Sequence, residues 1–228
     1  MPGLPVVYRK SAEGAIASYD WLDISEETGI KTFSCGTNSK VSTSSGANAQ
    51  SITYSGATLF QNTFYSKDPE TSRFEAGTEN NIFLTMNFDL AEFNKPKIMK
   101  GTAYFEGPIY NQSGTSSAFW NIVKLQKIST VEGVDTIEDI SSDISGATVS
   151  QGNFIVDFIP IPISGAVHFA SGDKLRLYAQ ARYLSGVTNR RIVIGHDPFD
   201  RDGTYIKPST SGALSTVMRL HVPFKLDL

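Results

Sequence analysis

An all-β, mainly antiparallel two-sheet sandwich is the fold class this sequence predicts, and three stretches of two-residue alternation predict it. In 82–90, Ile82, Leu84, Met86, Phe88 and Leu90 interleave with Thr85, Asn87 and Asp89. In 174–183, Leu175, Leu177, Ala179, Ala181 and Tyr183 alternate with Lys174, Arg176, Gln180 and Arg182. In 216–227, Met218, Leu220, Val222, Phe224 and Leu226 alternate with Arg219, His221, Lys225 and Asp227. A period of two buries one face of a strand and wets the other, as antiparallel sheets packed face to face require. Almost nothing in the chain reads as helix.

The elements follow in order. Val6-Val7-Tyr8, the stretch 15–19 and Ile30-Lys31-Thr32-Phe33 read as short strands. From 34 to 56 the composition turns to Ser, Thr, Gly and Asn, which buries too little apolar surface to offset ordering entropy alone. That stretch is expected to be a loop, or an arm ordered against a neighbour. Leu59-Phe60 and Thr63-Phe64-Tyr65 suggest a further strand, and 67–81 is polar, with Asp68-Pro69 and Gly77 as breakers. A boundary is therefore expected near 76, separating a β-rich N-terminal extension (1–75) from a jelly-roll sandwich (76–228).

Beyond the boundary the strands come regularly. The stretch 98–105 ends at Gly107-Pro108, and 118–128 offers apolar residues to both faces. A turn at Glu132-Gly133 opens a polar segment to Gly146. Phe154, Val156 and Phe158 then run into Pro160-Ile161-Pro162, where the missing amide donors place the strand at a sheet edge or take it out of the sheet. The stretch 190–194 is another strand, and the long final strand is expected in the middle of a sheet. About eight strands over this length is what a jelly roll or related Greek-key sandwich needs.

Composition excludes several functions. The 228 residues are 40% hydrophobic and 19% charged, enough for a packed core in one large β domain or one domain with an extension. A net charge of −3 without long like-charge runs gives no footprint for nucleic acid. Cys35 is the one cysteine, so no disulfide framework exists, and a small buried side chain is its expected role. No stretch approaches the ~18 apolar residues of a membrane span. Neither a basic nor an apolar leader region opens the chain, so synthesis in the cytoplasm as a soluble protein is the expectation.

Three places could hold chemistry. Gly195-His196-Asp197-Pro198-Phe199-Asp200-Arg201-Asp202-Gly203 brings Asp197, Asp200 and Asp202 close enough to offer oxygen ligands to calcium. The spacing is not that of an EF-hand, and a turn stiffened by Asp, Gly and Arg201 is the favoured reading. His168, His196 and His221 show no metal-ligand spacing and read as surface or interface residues. Glu132, Glu138, Asp139 and Asp143 read as a solvated loop rather than a glycosidase pair. Tyr19, Trp21, Tyr54, Phe60, Phe64 and Tyr65 crowd the first third of the chain. They suit anchors on the sandwich or on another subunit better than a sugar-stacking platform.

One string adds a resemblance. Phe169-Ala170-Ser171-Gly172-Asp173-Lys174-Leu175-Arg176-Leu177 follows the strand from Phe154 and precedes the one ending at His196-Asp197-Pro198. Over roughly 80–228 this pattern resembles the jelly-roll virion proteins of tailed bacteriophages, which include capsid decoration and fibre or adaptor subunits. A similar glycine-aspartate turn is found in the trimeric tumour-necrosis-factor-like and C1q-like jelly rolls. The resemblance implies a non-enzymatic virion subunit, capsid decoration ahead of tail fibre or adaptor. It further implies assembly in a host cytoplasm beside a major capsid protein, with the N-terminal segment as an attachment arm. It implies no catalytic residue and no cofactor. A homo-oligomer, with a trimer favoured, would cover the N-terminal rings. The rival expectation is a carbohydrate- or receptor-binding sandwich module, and a hydrolase with dispersed carboxylates stands third.

Overall fold

A computed structural model describes residues 29–37, 51–60, 73–76, 83–113, 117–183, 191–195, 204–206, 213–215 and 218–225. These contain no helix. The strands are β1 (Gly29–Thr37), β2 (Ser51–Phe60), β3 (Arg73–Ala76), β4 (Phe83–Leu90), β5 (Lys97–Ser113), β6 (Ala118–Val131) and β7 (Val134–Asp139). They continue with β8 (Phe154–Phe169), β9 (Lys174–Tyr183), β10 (Arg191–Gly195), β11 (Thr204–Ile206), β12 (Ala213–Ser215) and β13 (Arg219–Lys225).

Eight of them make two antiparallel four-stranded sheets, β1-β13-β5-β8 and β4-β9-β6-β7. Apart from the β6–β7 hairpin, each of these strands is followed along the chain by one in the other sheet. That order is the double Greek key of a jelly roll, so the predicted all-β sandwich is the observed fold. β2 links the sheets, pairing antiparallel with β1 and parallel with β4. β10 continues the first sheet along the far end of β5 and carries β3, while β11 and β12 pair with each other. β1 and β2, from the segment set apart above as an extension, are thus hydrogen-bonded into the sandwich.

The core lies between the sheets and follows the alternation. Met86 and Phe88 of β4, 175, 177, 179 and 181 of β9, and 220, 222 and 224 of β13 are all buried. Phe105 of β5 meets Trp120 of β6 edge-on at 5.1 Å, and the Trp120 Nε1–H donates to the Gly107 carbonyl at 3.2 Å across the two layers. Phe93 wedges between Phe169 (5.0 Å) and Phe224 (5.7 Å) at one end. Burial of each such ring contributes about 1.5–3 kcal/mol. In β6 the apolar residues offered to both faces are sorted by a bulge: the register slips between Trp120 and Ile122, so Trp120, Val123 and Leu125 all turn inward.

The strand ends differ from expectation for reasons that lie in partners. β5 does not stop at Gly107-Pro108 but runs to Ser113, because β8 pairs with it from Lys97 to Tyr110. β8 in turn continues past its prolines to Phe169 as the outer strand of the first sheet. Pro160 and Pro162, two apart, both aim their nitrogens away from β5, so no ladder bond is lost. On that outer side Ser164 N–H donates to the Ile140 carbonyl at 3.0 Å, and Ser141 bridges to Ile163. The same connection clings to β6: Ile144 and Val123 exchange backbone bonds, as do Val149 and Ala118. One segment thereby seals the gap between β6 and β8.

Two further stretches read as loops are strands. β1 extends through the Ser-rich region to Thr37, with Cys35 N–H donating to Met218 O at 2.9 Å, and β2 starts at Ser51. Ladder partners, β13 and β2 for β1 and β1 and β4 for β2, hold these stretches in the sandwich. Val134–Asp139 also forms a strand although all six residues are exposed. The turn before it, Glu132 (φ 53°) and Gly133 (φ 79°), has two left-handed residues, the twist that a tight hairpin prefers.

Candidate outer-face site on the first sheet

The two sheets present different outer faces. On the second, paired polar groups predominate: Arg176 holds Asp89 bidentately at 2.5 and 2.7 Å, and Asn121, Gln180 and Thr85 form a chain at 2.7 and 3.1 Å. On the first, rings and prolines stand among a few polar groups. The register places Thr32, His221, Tyr104 and Pro160 in one row across β1, β13, β5 and β8, with Ser34, Arg219, Glu106 and Phe158 in the next. Alternation puts all of these opposite the core phase.

Phe158 is 57% exposed and stacks on Tyr104 with centroids 5.1 Å apart and planes 17° from parallel. Its other neighbour is the His221 imidazole, tilted at 6.1 Å. Val156, on the same face of β8, is 39% exposed. Solvent-facing aromatic and aliphatic groups in one patch are the informative exception on a polar surface.

The polar members form a line. Thr32 Oγ1 and His221 Nδ1 are 2.9 Å apart. On the opposite side of the ring, Nε2 lies 3.7 Å from Glu106 Oε2, which also stands 3.9 Å from Arg219 Nη1. The carboxylate favours a proton on Nε2, which leaves Nδ1 as acceptor for the threonine O–H. Hydroxyl, imidazole and carboxylate thus stand in sequence beside an apolar shelf. The formal charges of Glu106 and Arg219 cancel.

The predicted site residues fall elsewhere. Asp197, Asp200 and Asp202, with His196 and Arg201, lie outside the described residues, as do Tyr19, Trp21, Phe64 and Tyr65. Among the described residues no cluster of three or more His, Cys, Asp or Glu has the arrangement of a metal site. His168 is exposed on β8, and its carbonyl accepts from Lys127 Nζ at 2.7 Å. Asp139 and Asp143 both pair with Lys124, at 2.8 and 3.3 Å, and the Asp139 carboxyl is held below the usual range by the Lys124 and Gln126 hydrogen bonds. They are surface ion pairs, not an acid–base pair.

The glycine-aspartate motif is structural. Gly172 takes φ 92°, and its N–H donates to Phe93 O at 2.8 Å. The buried Asp173 accepts from Ala170 N–H at 2.7 Å and pairs with Lys127 at 3.0 Å. Cys35 is fully buried, and desolvation pushes its thiol well above the ordinary value, which makes it inert.

In sequence His221 lies on the polar phase of its strand and reads as a lone surface or interface histidine. Its partners Thr32 and Glu106 are 189 and 115 residues away along the chain (221 − 32 and 221 − 106). Only the jelly-roll strand order brings them together, so no local signal marks the group.

No family model matches this chain, and no curated protein matches it. Solved structures do. A CocE/NonD family hydrolase from Staphylococcus aureus is 10% identical over 74% of this chain and 34% of its own, with a TM-score of 0.42. An alpha-amino acid ester hydrolase is 11% identical over 62% and 25%, with a TM-score of 0.36. This chain spans about a third of the length of the first and a quarter of the second. Both are hydrolases and neither is described as a virion protein, which corrects the expectation of a non-enzymatic virion subunit: the chain is given no virion role and is not set apart from enzymes. Likeness of this degree transfers no activity.

Proposed function

We propose that the outer face of the first sheet is a recognition surface for small uncharged molecules that carry a planar ring and a carbonyl oxygen. The observation that carries this reading is the exposed Phe158–Tyr104 stack beside the Glu106, Arg219, His221 and Thr32 line. An aromatic left in water has surface to bury, and a flat ring laid against it gains both that area and offset-stacking energy. Arg219 offers N–H donors at the polar border of the shelf, a polar group placed to orient a ligand on an apolar floor. With one carboxylate and one guanidinium cancelling, the patch selects against charged ligands.

Benzamide is a suitable probe, since it has the ring and the carbonyl and its amide resists turnover. Titrated into isotope-labelled protein, it is expected to move the amide resonances of Tyr104, Phe158 and His221. Phe158→Ser should raise its Kd by about tenfold, the worth of one stacked ring. Shifts confined to other parts of the molecule, or equal affinity in Phe158→Ser, would overturn the reading.

A further inference from the structure

We infer that this face also carries out acyl transfer, with Thr32 as nucleophile, His221 as general base and esters of the ring-bearing ligands as substrates. The inference rests on the recognition reading above and deepens it. Its geometric basis is the order of three groups from three strands: Thr32 Oγ1 at 2.9 Å from His221 Nδ1, and His221 Nε2 at 3.7 Å from Glu106 Oε2. A weak hydroxyl nucleophile needs an adjacent base, and the base needs a third group to fix its tautomer and stabilise its cation; that logic recurs on unrelated folds and is recognised by geometry alone. Thr32 is exposed, while His221 and Glu106 keep only 21% and 24% of their side-chain surface in water. The attacking atom is accessible and its relay is shielded, as nucleophile and base require.

Thr32 Oγ1 forms a bond to the ester carbonyl carbon as its proton passes to His221 Nδ1, and Glu106 stabilises the imidazolium from the Nε2 side. Negative charge collects on the carbonyl oxygen, where Arg219 is the donor. Its 3.9 Å contact with Glu106 is long enough to yield a guanidinium N–H to that oxygen. The carbon–oxygen ester bond then breaks, and the leaving alkoxide takes the proton from Nδ1. Water attacks the acyl-threonine, His221 accepts one of its protons, and the same proton returns to Oγ1 as the acid departs. Nothing is oxidised or reduced. Thr32, His221 and Glu106 face the same side of one rigid sheet, so no loop need close to assemble them.

The experiment uses 4-nitrophenyl acetate with the full chain. The parent is expected to release nitrophenol and to carry an acetyl group on the peptide containing Thr32 after rapid acid quench. Thr32→Val, which keeps the branched shape, and His221→Gln should each lower the rate by about a hundredfold, while Thr32→Ser retains it. Glu106→Gln should reduce turnover without abolishing the acetyl adduct. Benzamide shifts measured on each variant report whether the face is intact. Benzamide binding with equal ester rates in parent, Thr32→Val and His221→Gln overturns the catalytic inference alone; acetyl found only on lysines does the same. Loss of benzamide binding in the parent removes the recognition reading as well.

Discussion

Gly107 is buried beside the Phe105–Trp120 contact between the two sheets. Its carbonyl takes the Trp120 indole proton, and a Cβ at this position would press into the Phe105 ring and stand 2.7 Å from Trp120 Nε1. Neither ring can retreat, since both are wholly buried. Gly107→Ala is therefore expected to cost about 1–3 kcal/mol through overpacking, seen as a lower urea midpoint at unchanged slope. Asp173 gives a second single-residue test. Burial alone would raise its carboxyl, but the Ala170 amide, Lys127 and Ser129 more than reverse this and hold it below the ordinary range. A depressed carboxyl contributes stability that is complete above its unfolded-state value and is lost as pH falls through the folded one. Asp173→Asn should thus cost about 1–3 kcal/mol at neutral pH, with parent and variant converging in acid. Equal stability at pH 7 would contradict the account.

At the level of elements, β8 shows how an outer strand is kept from pairing with strangers. Pro160 and Pro162 remove two outward donors, and the 140–149 connection covers Ser164 and Ile163. Replacing both prolines with valine restores two exposed amides on a strand already carrying exposed Val156 and Phe158. The double variant is expected to keep its melting temperature within about a degree or two, since surface changes are small, while forming soluble oligomers or fibrils on concentration. Size-exclusion chromatography that stays monodisperse at the parent's elution volume would count against this role for the prolines. The elements also show what could be read in advance. β4, β9 and β13 were legible because every second residue is apolar and, at 86 and 88, from 175 to 181 and from 218 to 224, buried, so the alternation survives. β6 was legible as a strand but not in phase, because its bulge re-aims the side chains. β7 was not legible, since all six of its residues are exposed and its pairing with β6 holds it, and the outer part of β1 was not, since it is built of small residues that carry no alternation.

For the whole molecule, the sandwich follows from period and turn spacing, and its strand order does not. Nothing local to Thr32, Glu106 or His221 announces that β1, β5 and β13 will be neighbours; the pairing is a property of the closed double Greek key. The same is true of the seal between β6 and β8, built from a stretch that reads as polar connection. Fold class is written in short-range alternation, whereas the candidate site is written in contacts between distant strands. Such non-local pairings also slow folding, because loop closure precedes any gain from contact.

The pairing of β1 with β13 has a mechanical consequence. Gly29 lies opposite Phe224, so the outward-leading end of the first strand and that of the last leave the ladder side by side. Tension drawn between these two points loads one rung at a time, and each backbone bond, worth about 1 kcal/mol net, gives way before the next is stressed. Pulled in this way the sandwich should open like a zipper at low force. Handles placed at opposite ends of the same ladder, at 34 and 224, would instead load all its rungs together and meet a much higher threshold. Optical-trap records from the two attachment pairs should differ in that sense, and similar rupture forces would show that β5 and β2, not the β1–β13 ladder, set the molecule's strength.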